Sequence, residues 1–591
     1  MDRLGERGPI CQLLKEGETE MTAKKLKKRI DAAAGRIPAD LVLKGGRLLN
    51  VFAGGVEEGD LAVADGVIVG IGHYRGKEEI DLGGRFVAPG LIDGHLHVES
   101  TFCPPAALAP LLAAHGTSAA LCDPHEMANV CGLPGVEWMI RNARGAPVDF
   151  LFALPSCVPA SPYEFGNAVL DGVTVSDNLD RRHFYGLGEM MDFPGVIAAD
   201  PDILKKLLAA DREKKPVDGH APGLSGEGLN AYLCGGIRTD HEASTLEEGV
   251  EKLARGMWLQ IREGSQAKNL ETLIPLAKGE AFRRCLFCSD DLQIGDILGR
   301  GHLDAVLKKA VALGLDPVRA VTMATLNPAE CYGLKGRGAL APGYAADLVV
   351  FEDLEQFEVA AVFKAGSLVF RRGEQPVSPE IRLPKHLRGR IRAKLGSLDL
   401  PLPEGRFRAI SVRPGTLLTG EEILSPEGGQ ERFCFDPGKD LVKLVCLDRH
   451  RAKGSTGLGL LQGFGLKKGA LAATVSHDAH CLIAAGCTDG EIRACVEALS
   501  ACGGGLAAAE GENVKVLPLE IGGLMSLLPA AEAAAKLKEL TETAHRMGVR
   551  EDLDPFVTLS FLSLTVIPEL KLTPRGYFDV RSQSFVPFAA G

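Results

Sequence analysis

The residue types best suited to chemistry begin at Pro89-Gly90-Leu91-Ile92-Asp93-Gly94-His95-Leu96-His97, an apolar run ending in His-x-His. On a strand alternate side chains share a face, so His95 and His97 point the same way. Two neutral imidazoles so placed can share one metal ion. Four further groups follow, each behind a short apolar run: Gly188-Glu189, Asp218-Gly219-His220, Asp240-His241-Glu242 and Ser289-Asp290-Asp291. Two imidazole pairs bracketed by two carboxylates make a complete binuclear site, so the expected ligands are His95, His97, Glu189, His220, His241 and Asp290. Two divalent cations about 3.5 to 4 Å apart would lower the pKa of a shared water to near neutrality and so supply a nucleophile. A carboxylate must take the proton and pass it on, and Asp290 is assigned that role beside its role as a ligand. Asp291 either joins it or caps the next turn.

These groups need a scaffold that brings distant residues to one point. Apolar runs ending in polar types occur at Leu91 to His97, Thr117 to Cys122, Val148 to Leu154, Phe184 to Leu187, Pro216 to Asp218, Gly236 to Thr239, Met257 to Ile261 and Arg284 to Ser289. Helical periodicity follows most of them, as at Ala106 to Ala114, Ile203 to Arg212, Leu246 to Arg255 and Leu303 to Leu313. Eight alternating units over 87–335 are the content of an α/β, TIM-type (β/α)8 barrel, whose C-terminal rim gathers residues from separate strands. Short β-rich runs punctuated by glycine flank it at 38–86 and 336–395, and are read as two halves of one small β-sandwich domain. Past the basic stretch Lys385 to Lys394, residues 396–591 mix strands with Ala-rich helices and are read as a further α+β domain. Residues 1–37 form a polar lead-in with one short basic helix around Met21 to Ala34, expected to be a solvated face without function.

Composition narrows the function. With 591 residues, 46% hydrophobic and 24% charged, the chain is long and apolar enough for several folded domains. A net charge of -11 repels nucleic acid and anionic membranes. The fifteen cysteines lie scattered, many in apolar runs, which favours free thiols in a reducing compartment. With neither an apolar leader nor an uncharged run of about 18 residues, the cytoplasm is the expected location and no membrane association is expected. A homodimer is the commonest assembly for such a chain.

The motif around His95 and His97, the single histidines after strands five and six, and the aspartate after strand eight closely resemble the amidohydrolase superfamily. Within it, the chain looks like the adenine deaminase family through His97-Val98-Glu99-Ser100, Cys122-Asp123-Pro124-His125-Glu126-Met127-Ala128-Asn129-Val130, Asp218-Gly219-His220-Ala221-Pro222-Gly223 and Ser289-Asp290-Asp291. The resemblance covers about residues 40 to 395 and continues into the C-terminal region. It implies hydrolytic deamination of adenine to hypoxanthine and ammonia in purine salvage, with Glu189 as bridging and catalytic ligand where many superfamily members carry a carboxylated lysine. It also points to manganese as the metal, with iron as a competitor; imidazole and carboxylate donors suit zinc as well.

Glu99, His125, Glu126 and Asp291 lie on the same rim and either face the purine edge or orient the ligand histidines. The alternative chemistries in this fold are hydrolysis of a cyclic amide, as in hydantoinases and dihydropyrimidinases, and deamination of another nucleobase. The small zinc deaminases are excluded because their His-x-Glu with Pro-Cys-x-x-Cys pattern is missing. Ser476-His477-Asp478-Ala479-His480 resembles a further motif of the family. Its His-x-x-His spacing would not share a strand face, so a role closing over the barrel mouth is expected rather than a metal pair. Cys285 and Cys288 are read as packing.

Overall fold

The computed structural model describes residues 21–590 apart from 378, 393, 417, 427 and 428. Eight parallel strands form where apolar runs predict them: β1 Leu91–Leu96, β2 Thr117–Cys122, β3 Asp149–Leu154, β4 Phe184–Met190, β5 Val217–Gly219, β6 Thr239–Asp240, β7 Trp258–Arg262 and β8 Cys285–Cys288. They pair as a five-stranded run from β1 to β5 and a three-stranded run from β6 to β8. The two runs meet at irregular seams. Between β8 and β1, the Asp290 amide donates to the His95 carbonyl at 2.9 Å, and the His97 amide donates to the Asp290 carbonyl at 3.1 Å. Between β5 and β6, the Gly219 amide donates to the Thr239 hydroxyl at 2.9 Å. A Cβ on Gly219 would lie 2.0 Å from the Thr239 carbonyl, so only glycine permits this approach. The parallel sheet is therefore curled, with its strand ends converging.

The helices between strands start where the sequence supplies caps. Asp200 accepts from the Asp202 and Ile203 amides ahead of Pro201–Glu213, and Thr245 accepts from Glu248 ahead of Leu246–Ala254. The helix α1, His125–Asn142, follows β2 directly and places His125 and Glu126 on its first turn; it kinks at Gly132, where φ is +62°. Cys285 and Cys288 are both buried in β8, in keeping with packing.

The flanking β-rich segments join in one sheet. Phe86–Pro89 pairs antiparallel with Leu348–Phe351, which closes a gap of some 260 residues in sequence. Where two packed sheets were expected, the pairings run through a single eight-stranded sheet. Strand Ala39–Asn50 changes register between Leu43 and Gly46, taking Gly76–Asp81 along its first half and Phe86–Pro89 along its second. Leu43, Leu61, Val87, Leu348 and Phe363 bury one shared face. The basic helix spans Ala23–Ala33 and is docked rather than free: Lys28 pairs with Asp40 at 2.8 Å and Asp65 at 2.5 Å. The rest of the lead-in, residues 1–20, lies outside the described residues.

A nine-stranded sheet built from residues beyond 405 carries helices Asp489–Cys502 and Ala530–Arg546. Phe102, Leu108, Met127 and Met139 beside the curled sheet share one buried apolar cluster with Leu471, Ile483, Ile521 and Met525. Burial of that contact holds the C-terminal sheet against the strand ends of the curled sheet.

Candidate metal centre and substrate cavity

Each candidate ligand stands at or just past a strand end. The chain delivers His95 and His97 from β1, Glu189 from β4, His220 after β5, His241 after β6 and Asp290 after β8. All six converge. Glu189 lies at the middle: its Oε1 is 3.2 Å from His97 Nε2 and 3.8 Å from His95 Nε2, while its Oε2 is 2.9 Å from His220 Nδ1 and 3.4 Å from His241 Nε2. Asp290 Oδ1 sits 3.1 Å from His97 Nε2, on the Oε1 side. Asp290 holds this place with φ at +54°, a left-handed conformation that costs a non-glycine residue about 1 kcal/mol or more.

The histidine tautomers test whether a cation fits. His95 Nδ1 donates to Asp218 Oδ2 at 2.8 Å, and His97 Nδ1 donates to the Asp123 carbonyl at 3.0 Å. In the neutral rings both Nε2 atoms then carry lone pairs, and they face each other at 3.1 Å. Two lone pairs so close repel unless a positive centre lies between them. The donor set fits a divalent metal on that side, and Glu189 Oε2, His220 and His241 offer a second set on the other.

Supporting residues fix this arrangement. The Glu189 amide donates to Asp123 Oδ2 at 2.9 Å, and a Cβ on the preceding Gly188 would lie 2.5 Å from that oxygen. Arg262, at the end of β7, places Nη1 2.6 Å from Asp290 Oδ2 and 2.5 Å from Glu242 Oε1. Burial opposes charge on all three, but the guanidinium holds Asp290 well below the usual carboxylate range and is itself pushed well above its ordinary value. Burial likewise opposes charge on Glu189, and hydrogen bonding to His220, His241 and His97 outweighs it, driving the carboxyl pKa well down. Arg262 was not among the residues singled out from sequence; a basic residue at the rim end of strand seven was the available signal.

A cavity of about 570 Å³ opens beside these residues. Its wall includes His125, Glu126, Asp291, His477 and Asp478, with Phe561, Leu564 and Val566 on the apolar side. The segment expected to close over the rim lies here: His477 Nδ1 is 2.9 Å from Glu126 Oε1, and Asp478 Oδ1 is 3.8 Å from His125 Nε2. Burial opposes charge on His477, but Glu126 raises its pKa to about 9. His125 also approaches Glu189 Oε1 at 3.3 Å through Nδ1. The Asp291 carboxylate accepts from the Ser100 hydroxyl at 2.5 Å and still borders the cavity. Glu99 stands apart from the cavity wall, where its Oε1 accepts from the Met127 amide at 3.0 Å and steadies the first turn of α1.

A curled parallel sheet with a carboxylate set between two pairs of rim histidines suits the amidohydrolase class, and residues 86–369 match the Amidohydrolase family. Residues 416–584 match the adenine deaminase C-terminal domain. An adenine deaminase of Nitratidesulfovibrio vulgaris is 46% identical over 94% of this chain and 97% of its own length. Those of Desulfatibacillum aliphaticivorans and Methanoregula boonei are 44% and 45% identical, each over 94% of this chain and 98% of theirs. The chain belongs to the adenine deaminase family, and it is a hydrolase acting on C–N bonds.

Proposed function

We propose that the chain hydrolyses adenine to hypoxanthine and ammonia, in purine salvage, at the cavity beside Glu189. The observation that carries this reading is the split of one carboxylate between two imidazole pairs, Oε1 toward His95 and His97 and Oε2 toward His220 and His241. In this reading the curled sheet is a closed (β/α)8 barrel spanning 87–335, with the β unit at 38–86 and 336–395 and the C-terminal unit at 396–591. His95, His97, Glu189 and Asp290 hold one divalent ion, and Glu189, His220 and His241 hold the other. Bound there, the pair of ions supplies the Lewis acidity that makes a water nucleophilic near neutral pH. Manganese is the ion of choice, with iron and zinc compatible with the same donors.

The protein's own groups do the rest. Arg262 binds Asp290 Oδ2 and orients the carboxylate toward the ligand histidines, and Asp290 accepts the proton and returns it to the departing ammonia. Phe561, Leu564 and Val566 exclude water over the ring faces, while Glu126 and His477 offer an acceptor and a donor to a purine edge. The fourteen cysteines of the described residues are all free thiols, which supports a cytoplasmic location. Among the described residues no helix is long and apolar enough to cross a membrane. Assembly as a homodimer completes the reading.

Ammonia release by the manganese-loaded protein tests it against adenine, adenosine, guanine, cytosine and hydantoin. Adenine is expected to turn over well ahead of the others; turnover of hydantoin without adenine would refute the assignment.

A further inference from the structure

A second cavity, of about 480 Å³, lies behind the segment that carries His477. His386, Arg388, Arg390 and Arg392 line it from one side, Arg449 and His450 from the other, and Cys131 of α1 forms part of its floor. Its lining contains no carboxylate among the described residues. Arg449 is only 1% exposed. It donates from Nε to the His480 carbonyl at 2.6 Å, from Nη2 to the Gly522 carbonyl at 2.9 Å and from Nη1 to the Arg390 carbonyl at 3.3 Å. Its hydrogen bonds are made but its charge is not balanced, and burial lowers its pKa to about 10. Arg388, Arg390 and Arg392 are exposed at the mouth. A chain of net charge -11 thus lines one hollow with four arginines and no acid among the described residues.

Guanidinium forks match the oxygens of phosphate, and a buried cationic wall with an open, basic mouth suits a small dianion. The same wall touches the segment over the candidate active site. Arg449 Nε holds the His480 carbonyl, and His450 Nε2 donates to the Ala479 carbonyl at 2.7 Å. Those two residues follow directly on His477 and Asp478, which border the adenine cavity.

We propose that this pocket binds a phosphate-bearing small molecule through Arg388, Arg390, Arg392 and Arg449, and that binding reaches the adenine cavity through the Ala479 and His480 carbonyls. The binding half stands on the pocket itself. The transmitted half rests on the deaminase reading.

Calorimetric titration of the full-length, manganese-loaded protein with inorganic phosphate and with ribose 5-phosphate, at ionic strength fixed with chloride, tests the first half. Saturable binding is expected, weakened about tenfold or more in Arg388→Ala/Arg392→Ala. Tighter binding of the sugar phosphate would identify a phosphate ester as the ligand, and equal binding the free anion. No saturable heat with either probe, or unchanged affinity in the double variant, overturns the site. For the second half, saturating ligand should change kcat or KM for adenine by about fivefold in the wild type, with the concentration needed for that change raised about tenfold or more in the double variant. Binding with unaltered kinetics removes the coupling, whereas absence of adenine turnover in every sample strikes the deaminase assignment and leaves the calorimetric result standing.

Discussion

Asp218→Asn should disable the first metal set by reversing one imidazole tautomer. Asp218 Oδ1 accepts from the Thr239 hydroxyl, while Oδ2 accepts from His95 Nδ1 at 2.8 Å. An asparagine has one acceptor oxygen, and the Thr239 hydroxyl, whose own oxygen already accepts from the Gly219 amide, draws it to the Oδ1 position. Its NH2 group then points at His95 Nδ1 and donates to it. The ring proton moves to Nε2, the atom that faces His97 Nε2 at 3.1 Å, and the lone pair a metal needs is lost. Orienting partners of ligand histidines typically govern metal affinity by 10- to 100-fold, about 1.4 to 2.7 kcal/mol. Asp218→Ala leaves His95 free to choose either tautomer, so it should bind metal better than Asp218→Asn despite the larger deletion. The assay is elemental analysis after equilibration over a series of buffered manganese concentrations, with circular dichroism to confirm folding. Equal or tighter binding by Asp218→Asn than by Asp218→Ala would refute the tautomer argument.

Glu189→Gln replaces the shared carboxylate with a group that cannot serve both imidazole pairs, so metal content should fall below one ion per chain with activity lost; full occupancy and activity would remove Glu189 from the site. The Glu126–His477 pair should give stability a pH dependence. His477 is raised from 6.5 to about 9 by Glu126, so its contribution, about 3 kcal/mol, is fully present below pH 6.5 and is lost as pH rises through 9. Urea midpoints from pH 6 to 9.5 should fall more steeply in the wild type than in Glu126→Gln, and parallel curves would contradict this account.

The meeting of His95, His97, Glu189, His220, His241 and Asp290 was legible in the sequence because each ends an apolar run, and the strand period fixes which side chains share the rim. His95 and His97 illustrate it: alternation alone puts both on one face. Arg262 escaped because a strand-end arginine is not ligand chemistry, and its meaning comes only from Asp290 and Glu242 on neighbouring strands. Asp218 was read as part of a motif, yet its task is set by His95, 123 residues away. The contact of His477 with Glu126 joins segments some 350 residues apart, and no periodicity reports such a meeting. Glu99 carried the reverse lesson, since a carboxylate two residues beyond a ligand histidine turned out to hold a helix end. The single β-sheet, in place of a sandwich, is seen at Ala39–Asn50, which takes Gly76–Asp81 and then Phe86–Pro89 as parallel partners along its length.

The cavity over the candidate ligands is roofed by residues between 477 and 567, whereas the last candidate ligand is Asp290. During synthesis the ribosome must add about 185 residues between the two, roughly 10 to 40 s at 5–20 residues per second. For that interval the ligand rim can assemble while still uncovered. The order of the two segments along the chain thus places the six converging residues ahead of the segment that covers them.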